Sequence, residues 1–208
     1  MVEQTIAAAT RIAAGDDRTR YDGFAIALHW ATAVLVVLQF ALAETWGWAE
    51  RPTRHLMIVS HMSLGMLLSA VILIRVIWRL IPGHQVSTTQ SGIVELASKA
   101  VHYLLYALLL AEAVLGYVFR WSGDEAMSFF GLLIPPPFAP FSKPGHHLVA
   151  EAHNYVGWAI VVLAAAHAAA ALFHHYVVKD DVLLKMVPGR SAREQEARTP
   201  APQGAEPG

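Results

Sequence analysis

Four apolar runs, each long enough to cross a lipid bilayer, constrain this chain more than any other feature. They cover residues 24–43, 56–78, 101–119 and 155–178, which is 20, 23, 19 and 24 residues, against the roughly 20 that a helix needs to span hydrocarbon. Composition agrees: 55% of the 208 residues are hydrophobic and 15% charged, where soluble domains carry roughly 25% charge, and mean hydropathy is +0.42. A disordered chain is excluded and a soluble domain disfavoured. The predicted fold is all-α, a transmembrane four-helix bundle embedded in the lipid bilayer.

Four crossings put both termini on one side. Assigning Lys and Arg to the two sides gives eleven with the termini and four opposite, so the positive-inside rule places both termini in the cytoplasm of a multi-pass inner-membrane protein. The first run is no cleaved signal, because more than 20 mostly polar residues precede it. Residues 1–20 read as a cytoplasmic N-terminal segment, 21–188 as the membrane domain, and 189–208, rich in Arg, Glu, Pro, Ala and Gly, as a disordered cytoplasmic tail. The stretch 122–145, with its Ile-Pro-Pro-Pro-Phe-Ala-Pro-Phe run, reads as an external loop ordered against the bundle by its Phe residues. The fourth helix is expected to begin as early as His147. Trp46, Trp48 and Trp121 are expected at the outer interface. A net charge of −1 recommends no nucleic-acid partner, and the absence of cysteine removes disulfides, zinc-thiolate sites and iron–sulfur clusters.

Eleven histidines stand in or beside the apolar runs, and an imidazole in hydrocarbon needs a partner. Residues fourteen apart fall about 40° short of four full helical turns, on one face about 21 Å apart. His153 and His167 have that spacing on the fourth helix, and His61 and Arg75 have it on the second, which runs in the same direction. If His61 faces His153 near the outer surface, Arg75 and His167 share a level near the inner one. His29 is available there as an opposite ligand. Depth alone does not choose between His102 and His167 as its partner. Two stacked bis-histidine sites suit a macrocycle holding iron through axial nitrogens, whereas zinc prefers a tighter tetrahedral cluster. Gly65 and Gly157, each four residues after an outer histidine, would leave a bare patch where a flat porphyrin can approach the backbone.

Ala25-Ile-Ala-Leu-His29-Trp30, Ile58-Val-Ser-His61 with Arg75-Val-Ile-Trp-Arg79, and His167-Ala-Ala-Ala-Ala-Leu-Phe-His174-His175-Tyr176 followed by Lys179-Asp180 resemble the prokaryotic cytochrome b561 family over residues 21–188. The resemblance implies two non-covalent b-type haems, the cytoplasmic one held by His29 and His167 and the periplasmic one by His61 and His153. His102 then becomes a neighbour of the ligands or of a propionate, and Arg75 a propionate partner or a snorkelling cation. It also implies electron passage from the periplasmic face to the quinone pool, with ubiquinone as acceptor and superoxide, or another periplasmic one-electron donor, as source. The chain would then be a superoxide:ubiquinone oxidoreductase. His174, nearly two turns past His167, is the candidate proton-exchanging group for quinone, because imidazole titrates near neutral pH. Arg51, Arg54 and Arg120 are candidates for drawing an anion to the outer haem. The competing readings are a membrane-anchor cytochrome b subunit of a partner enzyme and a histidine-based metal transporter. The latter would want intramembrane carboxylates, of which Glu112 is the one well inside a helix.

Overall fold

A computed structural model describes residues 21–82 and 92–187; the expected N-terminal segment and C-terminal tail lie outside the described residues. Each apolar run forms one helix: α1 (Gly23–Thr45), α2 (Arg51–Leu80), α3 (Ile93–Ser122) and α4 (Lys143–Phe173). All four are long and apolar enough to cross a membrane. Helices suit these sequences because a lipid-facing backbone must satisfy its own N–H and C=O groups. Many large apolar side chains accordingly point outward, Val37, Ile77 and Val162 among them, each more than half exposed. In lipid that surface is solvated by acyl chains.

Local chemistry sets the helix ends. Asp22 caps α1 by accepting from the Ala25 N–H at 2.8 Å, and its other carboxylate oxygen accepts from Trp78 Nε1 at 3.0 Å, tying α1 to α2. Beyond Thr45 a 3-10 turn (Trp46–Trp48) leads to α2, which carries Pro52 in its first turn. The Arg54 guanidinium donates to the carbonyls of Trp46, Gly47 and Ala49 at 3.0–3.1 Å, satisfying acceptors that the end of α1 leaves open. Ser142 caps α4, which starts at Lys143, four residues before His147. It runs on through a π turn (His174–Val178) that stops at Lys179, held at φ +61°. A 3-10 turn (Leu183–Met186) then returns to the bundle, where Trp30 Nε1 donates to the Met186 carbonyl at 2.7 Å.

The external stretch is more structured than a loop. Met127–Phe129 (β1) and Leu132–Ile134 (β2) form an antiparallel hairpin, so the fold is mostly helical rather than all-α. Its two-residue turn, Phe130-Gly131, has both φ values positive, as the tightest hairpins require. Ser63 of α2, 2% exposed, anchors it: its hydroxyl accepts from the Phe130 N–H at 3.0 Å and lies 3.1 Å from the Ser128 carbonyl. The expected packing by Phe residues is present too. Phe138 sits edge-on to Trp121 and stacks on Phe141.

Two helical pairs, α1 with α2 and α3 with α4, make the most extensive contacts, and α2–α3 and α1–α4 close the bundle. At mid-depth Ile72, Leu109 and Ile160 form a buried aliphatic layer against Val36, Leu68, Val76, Leu108, Leu110 and Val156. Ile160 stands seven residues from both His153 and His167, so the layer separates the two histidine levels.

Candidate functional site

On the side of the aliphatic layer nearer the hairpin, the rings of His61 (α2) and His153 (α4) face each other with centroids 6.3 Å apart. On the other side His29 (α1) and His167 (α4) do the same at 6.5 Å. Two imidazoles on one iron need about 2 Å of metal–nitrogen bond and about 1 Å from nitrogen to ring centre on each side, about 6 Å in all. Both pairs meet that requirement. His102 (α3) packs edge-on against His167 at only 5.0 Å, too close for the two to bracket a metal, and its Nδ1–H donates to the Ser98 carbonyl at 2.6 Å.

The upper pair lines a cavity of about 440 Å³, within the range of small-molecule and cofactor sites. Three glycines open it. A Cβ at Gly65 would meet Gln39 Nε2 at 2.7 Å, one at Gly116 would lie 3.4 Å from His153 Cε1, and one at Gly157 would lie 3.1 Å from Glu112 Oε1. Gln39 and His61 bond reciprocally. The His61 Nδ1–H donates to the Gln39 carbonyl at 3.2 Å, and Gln39 Nε2 donates back to the His61 carbonyl at 3.0 Å. Fixing Nδ1 in this way leaves Nε2 of His61 for a metal. Nδ1 of His153 lies 3.1 Å from Glu112 Oε1, too poorly aimed to count as a hydrogen bond. That nitrogen, Glu112 Oε2 and Gln39 Oε1 are buried atoms without a hydrogen-bond partner among the described residues. A polar-edged planar group slotted against bare backbone, between two imidazoles, suits such a lining.

A cation marks the inner level. Arg75 Nη2 lies 2.9 Å from His29 Nδ1, with its guanidinium 5.1 Å above the centre of the Tyr106 ring. It therefore turns inward instead of snorkelling. Arg79 stands 6.0 Å over the ring of Tyr21. His174 opens the π turn, and its Nδ1–H donates to Asp180 Oδ2 at 2.6 Å. Asp180 Oδ1 accepts from the Val182 N–H at 3.1 Å. Burial alone would raise the Asp180 carboxyl pKa, but these bonds outweigh it and hold the group below the usual carboxylate range. Lys179, a non-glycine residue in left-handed backbone, makes the bend that brings Asp180 back under His174. His175 packs on Tyr176.

The outer cations divide. Arg54 is occupied by the α1 carbonyls. Arg120 pairs with Glu125 and donates to the Ala126 carbonyl at 3.3 Å while lining the cavity. Arg51 is exposed. The tryptophans divide as well. Trp48 is 86% exposed, but Trp46 packs edge-on over His61 at 5.2 Å, and Trp121 packs on Tyr117 with its Nε1 buried.

Sequence reasoning missed Gln39 and Tyr106, and it used Glu112 only to weigh a transporter. The signal for Gln39 and Glu112 was present: both are polar residues in the middle of apolar runs, where such groups need a reason.

Comparison with known proteins covers the same part of the chain. A family model described as prokaryotic cytochrome b561 matches residues 20–189. The chain is 32% identical over 184 residues to Cytochrome b561 homolog 2 of Escherichia coli K12, covering 84% of this chain and 94% of that protein. It is 33% identical over 183 residues to Cytochrome b561 homolog 1 of the same organism, covering 82% and 98%. Similarity at 27% over 175 residues extends to a Yersinia pestis protein named Probable superoxide oxidase CybB, covering 81% and 96%.

Proposed function

The chain belongs to the prokaryotic cytochrome b561 family of membrane haem proteins, and on that footing we propose that it carries electrons from superoxide at the periplasmic face to ubiquinone. In this reading the termini lie in the cytoplasm, residues 21–188 form the working domain, and two haems b are bound. His61 and His153 hold the outer one, His29 and His167 the inner. The observation that carries it is the pair of facing imidazoles at each end of one bundle, both at the spacing a shared iron requires. The name of the Yersinia relative supports superoxide as donor.

Haem b, when bound, would supply reversible one-electron chemistry. The chain supplies the rest. Gln39 holds the His61 ring so that Nε2 is left for a metal, and the hairpin on Ser63 brings Met127 into the lining of the outer cavity. Arg120, paired with Glu125, lines the same cavity, where an anion would compete for its guanidinium. Two superoxide anions each give up one electron to become O2, and ubiquinone takes two electrons and two protons to become ubiquinol. His174 is placed to manage those protons. With Nδ1–H donated to Asp180, its Nε2 is left to exchange a proton with a quinone oxygen.

The test is turnover by the purified protein. Superoxide should reduce the haems rapidly and ubiquinone should reoxidise them. His174→Ala should slow reoxidation about 10²- to 10⁴-fold, the usual worth of a positioned acid–base group, with both haem spectra unchanged. Reduction by superoxide no faster than by a generic weak reductant removes the donor. Unimpaired reoxidation in His174→Ala removes the quinone assignment.

A further inference from the structure

The two levels set charges of opposite sign against their imidazoles. Glu112 brings its carboxylate to 3.1 Å from His153 Nδ1, on a helix stretch otherwise made of Leu, Ala and Val. Gly157 makes this possible, since a Cβ there would stand 3.1 Å from Glu112 Oε1. The other outer imidazole faces only the neutral Gln39 carbonyl, and Arg120, on the same cavity, is paired with Glu125. At the inner level the group against His29 Nδ1 is the Arg75 guanidinium, at 2.9 Å.

We propose that Glu112 is a positioning residue that lowers the potential of the outer haem, while Arg75 raises that of the inner one, so that an electron entering outside runs downhill to the quinone side. This rests on the two-haem reading above. Oxidised haem carries one more positive charge than reduced haem. A nearby carboxylate therefore favours the oxidised state and a nearby guanidinium the reduced state, and low dielectric strengthens both effects.

The experiment is a potentiometric titration of the purified haem-loaded protein, followed optically. Two one-electron waves are expected, and His153→Ala should retain one haem, the one of higher potential. Glu112→Gln keeps a carbonyl oxygen beside Nδ1–H but removes the charge. It should raise the lower wave by at least a tenfold change in the oxidised-to-reduced ratio, about 59 mV for one electron, and move the upper wave much less. A lower-potential haem surviving in His153→Ala overturns the proposal, and so does an unmoved lower wave in Glu112→Gln. If Glu112→Gln sheds the outer haem, Arg75→Gln decides: the upper wave must fall, and an unmoved one overturns the gradient. Two haems retained by His153→Ala would instead overturn the ligand assignment itself.

Discussion

The outer and inner histidine levels are built from one spacing and surrounded by different chemistry. Both use a residue of α4, fourteen positions apart, and both bring a second imidazole to between 6.3 and 6.5 Å. The outer level is roofed by a hairpin, opened by three glycines and edged by Gln39 and Glu112. Its inner counterpart has a third imidazole in His102, a guanidinium in Arg75 and a π turn beneath it. Ligand geometry is thus repeated along the helices while the electrostatic and steric setting is not. In the proposed reading the ligands would account for where electrons rest, and the setting for what each end exchanges with its surroundings.

The largest expected effect breaks the comparison at its root. Alanine at His61 or His153 should reduce haem from two per chain to one, and alanine at His29 or His167 should do the same, as counted by pyridine haemochrome absorbance. His102→Ala should keep two. Loss of a haem in His102→Ala with retention of both in His167→Ala would assign the inner ligand to the wrong helix. A smaller effect belongs to the outer level alone. Ser63→Ala leaves the Phe130 N–H without its buried acceptor, a loss of about 1–3 kcal/mol. Amide exchange at Phe130 should quicken while the inner haem spectrum stays as it was. The smallest belongs to the inner level. Because the Asp180 carboxyl is held below its usual range in the folded chain, its bond with His174 contributes fully above the ordinary value of about 3.9 and is lost as pH falls through the lowered one. The contribution is of the order of 0.2–1 kcal/mol for so exposed a pair. Thermal stability measured from pH 6 down to about pH 3 should fall more steeply in the parent than in Asp180→Asn; equal slopes would remove the assignment.

The bundle was legible in the sequence because membrane helices are written as length and apolarity, which need no knowledge of neighbours. The four runs follow from length and apolarity alone; the facing of His61 with His153 was a condition of the two-level pattern, and the two rings lie 6.3 Å apart. Depth alone left His102 and His167 as alternative partners for His29, and the structure sets the His29 and His167 rings 6.5 Å apart. The hairpin was not legible. Met-Ser-Phe-Phe-Gly-Leu-Leu-Ile lacks an alternating pattern, and its turn places Phe130 at φ +47°, a conformation that asparagine or glycine would normally advertise. Ser63 and Tyr106 were hidden for another reason. Their roles exist only once two helices are side by side, which spacing on one helix does not encode.

The aliphatic layer at mid-depth has a consequence for the membrane as a whole. None of its nine side chains, from Val36 to Ile160, carries a donor or acceptor, so they offer no chain of hydrogen bonds along which a proton could hop. Electrons can tunnel through saturated carbon over such a distance, and ions do not follow. In the proposed reading such a layer would bar protons, so each electron delivered inward would move net charge across the bilayer, and turnover would respond to the membrane voltage.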